Sequence, residues 1–121
     1  MANSLFFIRP KNAPSAVPQI DRATKLMTTA FRAATRGPSY RGNRRGFHIC
    51  DCGAISSNCN YFLRNKARTV TNSLCVHYLA FHREEVPADQ LAFVLNLICK
   101  EANPTRAELA YPPKPKNRPY R

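Results

Sequence analysis

The sequence predicts a small single α+β domain: a β-hairpin and a cysteine knuckle packed against two or three helices, with basic extended termini. Three observations carry this. Apolar residues recur at helical spacing in 19–35 and again through 73–102. Between those stretches, residues 47–53 alternate as a short strand running into a turn at Gly53, and 60–71 read as two short strands around a turn at Asn65. Hydrophobic residues make up 44% of 121, enough for one core of modest size, because ten prolines and two basic ends subtract from it.

Residues 1–18 carry Pro10, Pro14 and Pro18 and read as an extended arm. The globular domain is expected over 19–102. In helix 19–35, Ile20, Ala23, Met27, Ala30, Phe31 and Ala34 share one face, while Arg22, Lys25, Arg32 and Arg36 fall largely elsewhere. Gly37-Pro38 closes that helix, and residues 36–46 form a basic loop with four arginines and Tyr40. A knuckle and hairpin span 47–71, with strands Tyr61–Leu63 and Arg68–Thr71 around a turn at Asn65. Asn72-Ser73 offers a cap for a helix over 73–85. Pro87 suits the first residue of a second helix over 87–102, with Leu91, Leu95, Ile98 and Ala102 on its buried side. Residues 103–121 contain five prolines and five basic residues and read as an extended tail.

Charge is the strongest compositional signal. Nineteen Lys and Arg face seven Asp and Glu, a net charge of +12. Residues 1–46 hold nine basic residues and one acid, whereas 83–102 hold two and four. Thirteen of the basic residues are arginine, whose planar fork suits phosphate. Such an excess attracts a polyanion. No run approaches the length of a membrane span, and the start of the chain lacks the apolar stretch of a secretory signal, so a cytoplasmic location is expected. Five cysteines, an odd number in such a chain, favour free thiols or metal ligands over disulfides.

The sharpest local feature is Cys50-x-Cys52-Gly53 followed by His77-x4-His82, with the hairpin between. Two thiolates and two imidazoles are the donors a tetrahedral zinc takes. On an ideal helix His82 lies about 140° round from His77, so one metal reaches both only if the last turn departs from helical geometry. His48, on the same side of the strand as the cysteines, is the reserve ligand. Cys75, Leu79, His82 and Val86 also form one helical stripe, so an ordinary metal-free core is the competing reading. The segment Cys50–His82 resembles a C2H2-type zinc finger. That resemblance implies a structural Zn2+ held by Cys50, Cys52, His77 and His82, with no open position for water.

Signatures of deaminases, P-loops, EF-hands and dinucleotide sites are absent, and no small-molecule substrate is inferred. The function these features predict is non-catalytic nucleic-acid binding, RNA foremost, within a ribonucleoprotein assembly. The expected contacts are Arg36, Tyr40, Arg41, Arg44, Arg45, Lys114, Lys116, Arg118, Tyr120 and Arg121, with arginine on phosphate and aromatic rings on bases. Two alternatives stay open. One is a phage or mobile-element interaction protein that docks on a host nucleic-acid enzyme, with helix 87–102 as a protein-contact surface. The other is a small RNase using His77 and His82.

Overall fold

The first expected helix forms over Arg22–Ala33 (α1) in the computed structural model of the chain, which describes residues 4–38, 50–57, 59–65 and 68–110. It starts three residues later than expected because Asp21 supplies the cap, its carboxylate accepting from the Thr24 amide. The Gln19 amide is already committed to the Ala80 carbonyl, and Ile20 lies ahead of the helix, 39% exposed. Ala23, Leu26 and Met27 form the buried face. Gly37-Pro38 does not end α1. The chain turns extended at Ala34, and Thr35–Pro38 becomes a strand, so the predicted basic loop begins inside a sheet.

Strands β1 (Ser4–Leu5), β2 (Thr35–Pro38), β3 (Cys59–Phe62) and β4 (Val70–Thr71) form one mixed sheet in the order β1-β4-β3-β2. The predicted hairpin is β3–β4, with Tyr61 opposite Thr71 and Phe62 opposite Val70. Its turn is held by the Asn65 side chain, which bonds both the amide and the hydroxyl of Thr69.

β1 pairs parallel to β4, so the expected extended arm is tied into the sheet at Ser4–Leu5. Leu5 and Phe6 are fully buried, and Asn72 donates to the Phe6 carbonyl at 2.8 Å. The apolar run Leu5–Ile8 outweighs the prolines behind it: each such side chain, fully buried, contributes about 1.5–3 kcal/mol.

Helix α2 (Cys75–Phe81) is the centre of the domain, and all seven of its residues are buried. Asn72 stabilises its entry through the Leu74 amide rather than as the formal cap. A short 3₁₀ turn, Arg83–Glu85, replaces the rest of the predicted helix 73–85. Helix α3 (Ala88–Leu95) likewise stops well before residue 102, because the Asn96 amide closes back on the carbonyls of Ala92 to Val94. Beyond that point the helical phase is lost. Ile98, past that end, is 100% exposed; Leu95, the last residue of α3, is 40% exposed, and Val94 is the buried residue of the helix instead.

The segment after residue 102 also departs from the expected tail. Thr105 and Glu108 form a capping box that starts α4 (Arg106–Leu109), and Leu109 is buried. Arg32 of α1 grips the Glu108 carboxylate with two bonds of 2.8 Å. Among the described residues no helix is long and apolar enough to cross a membrane.

Candidate metal centre

The knuckle is a closed turn. The Gly53 amide donates to the Cys50 carbonyl and the Cys50 amide to Ala54, each at 2.8 Å. Gly53 has φ of 101°, a region that disfavours any residue with a Cβ, so the glycine is what permits the turn. Both cysteines are buried and face α2 from that turn.

His77 projects from the middle of α2. His82 sits where that helix stops, with φ −130° and ψ 39°. This break removes the 140° mismatch of an ideal helix. Cys52 Sγ lies 3.3 Å from His77 Nε2, and Cys50 Sγ lies 3.4 Å from His82 Nε2. All four donor atoms fall within 4.8 Å of one another, and all four residues are buried. Donors on a tetrahedral zinc stand about 3.3–3.8 Å apart, so the sulfur–nitrogen edges are already near that length. The widest pair needs to close by about 1 Å. The group can hold a metal ion such as zinc.

The tautomer of His77 is fixed from outside the cluster. Its Nδ1 lies 3.0 Å from the Leu109 carbonyl, which can only accept, so Nδ1 carries the proton and Nε2 presents its lone pair to the cysteines. His82 has no such support: its Nδ1 is buried with no hydrogen-bond partner among the described residues. The two cysteine thiols are pushed in opposite directions. Hydrogen bonding from the Cys50 thiol is the largest influence holding Cys52 well below the usual thiol range, against the effect of burial. The same pairing, followed by burial, pushes Cys50 up. Two adjacent thiolates repel, and a divalent cation at this position removes that repulsion.

The remaining cysteines lie apart. Burial pushes the Cys75 thiol up to about 12, as for a core residue. Cys59 is half-buried in β3, and Cys99 is exposed. Of the predicted nucleic-acid contacts, Arg36 is exposed on β2. Tyr40, Arg41, Arg44, Arg45, Lys114, Lys116, Arg118, Tyr120 and Arg121 lie outside the described residues, as does the reserve ligand His48. The supporting carbonyl of Leu109, and the Arg32–Glu108 pair that fixes its helix, were not anticipated. Their readable signal is Thr105-x-x-Glu108, a capping-box pattern set among prolines. No protein-family model, curated protein or solved structure matches the chain.

Proposed function

We propose that this is a zinc-stapled, non-catalytic nucleic-acid-binding protein of the cell interior, with RNA as its ligand and a ribonucleoprotein assembly as its setting. The finger-like segment Cys50–His82 supplies a structural zinc, and the arginine-rich surface supplies the contacts. Four protein donors leave no coordination position for a substrate or water.

The observation that carries the binding reading is how the acids are used. Asp21, Asp51, Glu101 and Glu108 are each engaged by an arginine, Arg83, Arg9, Arg22 and Arg32 in turn. Glu85 accepts from the amides of Lys11 and Asn12. Most of the negative charge is thus committed inside the protein. Arg36, Arg64 and Arg68 are exposed and have no ion-pair partner among the described residues, in a chain whose net charge is +12.

The RNase alternative loses ground on the same geometry. His77 and His82 are 0% and 4% exposed and face thiols, so neither can reach a scissile phosphate. A protein-docking reading has one observation in its favour. Ile98 is fully exposed beside a groove of about 500 Å³ that Ala30, Ala33, Phe93 and Leu97 help to line.

The deciding experiment is retention of the purified protein on single-stranded RNA across a salt gradient. Salt-sensitive binding is expected, and the variant R36A/R41A/R44A/R45A should flatten the dependence of log K on log salt by up to one unit per lost contact. Salt-insensitive co-purification with a single protein, without RNA binding, favours docking instead.

A further inference from the structure

The helix-facing side of the sheet is set by Leu5 and Thr71, both buried, and by Tyr61, whose ring lies 4.6 Å from that of Phe31 on α1. Residues one step along each strand point the other way. That opposite face presents Ser4, Val70, Phe62 and Thr35 in a row across the four strands. Ser4 and Thr35 are exposed, and Val70 and Phe62 only half-buried, so this face has an aromatic ring at its middle and no buried core of its own.

Two further features prepare the ring for a ligand. Gly37, on β2, has no side chain where a Cβ would stand 2.9 Å from the Phe62 ring, so the ring can approach the neighbouring strand closely. Arg68 is held by the hairpin turn at φ of 51°, and its guanidinium sits 5.2 Å from the centre of the ring. Thr35, Phe62, Leu63, Arg64, Asn65 and Arg68 together line an open depression of about 590 Å³. Arg64 and Arg68 are both exposed at its rim. All seven acids of the chain lie outside the four strands.

We propose that this face is a stacking platform for an unpaired base of single-stranded RNA, an inference that rests on the nucleic-acid reading above. The base takes the place over Phe62 that the Arg68 guanidinium now occupies. Arg68 is released to a flanking phosphate, with Arg64 beside it. An aromatic ring with two arginines in the same depression fits a splayed base and its backbone, and the stacked interior of a duplex offers no such base. Unpaired bases are chiefly a property of RNA loops, which is why the platform is assigned to RNA.

The test is fluorescence anisotropy with a ten-nucleotide oligouridine, the same DNA sequence and an RNA duplex, using the full chain with zinc. Wild type is expected to prefer the single-stranded RNA. F62L should weaken that binding about tenfold with the salt slope unchanged, because stacking is lost and no charge is. R64Q and R68Q should each lower the salt slope by about 0.7, the value of one phosphate contact on a single strand. Should F62L fail to fold, the two arginine variants still decide, since both side chains are exposed. If wild type binds RNA and all three variants match it, the platform is refuted while the nucleic-acid reading stands. If wild type binds no nucleic acid, that reading falls first. Equal affinity for the DNA oligomer overturns the assignment to RNA.

Discussion

His77 donates its Nδ1 proton to the carbonyl of Leu109, 32 residues further along the chain. One imidazole of the cluster is therefore oriented by a short helix that Arg32 anchors to α1. Truncation after residue 103 removes that carbonyl and should weaken zinc affinity by about 10–100-fold, the usual effect of losing an outer partner of a metal-bound histidine. Truncation after residue 110 should leave it unchanged. Chelator competition on the two truncated chains measures the difference directly.

Metal content separates the ligands from the other cysteines. Cys50→Ser and His82→Ala should each abolish stoichiometric zinc and destabilise the fold by several kcal/mol, since structural zinc contributes on the order of 10 kcal/mol in small domains. Cys59→Ser and Cys99→Ser should retain one zinc per chain by elemental analysis. Cys75→Ser should retain it too, while losing stability because it buries a hydroxyl in a core position. A folded, chelator-free preparation with well under one zinc per chain would remove the metal from this account.

Acid should act on the Asp21–Arg83 pair in a defined window. The Arg83 guanidinium holds the Asp21 carboxyl down at about 2, against 3.8 ordinarily. A depressed carboxyl stabilises the folded state above its unfolded pKa, and that contribution disappears as pH falls from near 4 toward 2. Asp21→Asn keeps a helix cap but not the charge. It should cost about 1 kcal/mol near neutrality, a figure kept small because the Asp21 side chain is 43% exposed and solvent screens the pair. Denaturation curves of the two proteins should converge by pH 2.

The amino-terminal strand should matter as much as any core helix. Leu5→Ala should destabilise by about 2–5 kcal/mol through the cavity it leaves. Val17→Ala, in the exposed part of the same segment, should change stability by less than about 0.5 kcal/mol. Chemical denaturation with the metal bound compares the two.

The Cys50-x-Cys52-Gly53 and His77-x4-His82 pairs were legible because donor chemistry and turn chemistry are local properties of a sequence. Their mutual geometry was not, since helix length decides it, and α2 ends at Phe81 for tertiary reasons that spacing does not encode. The hairpin around Asn65 was legible for the same local reason. β1 and β2 were missed because strands of two and four residues carry no measurable period, and their pairing partners are remote. The apolar spacing that puts Ile98 inside holds only while the helix continues, and the Asn96 cap ends it at Leu95. α4 is masked in the sequence by the prolines around it, which outweigh its capping residues.

The parallel pairing of Ser4–Leu5 with Val70–Thr71 also sets a timetable. Leu5 and Phe6 are synthesised ahead of their partners: the strand and the Asn72 side chain that cover them are made 66 residues later. At about 5–20 residues per second, these apolar side chains wait roughly 3–13 s for their partners. Throughout that interval the nascent chain presents an uncovered apolar segment, and a chaperone that shields such segments would raise the yield of folded protein.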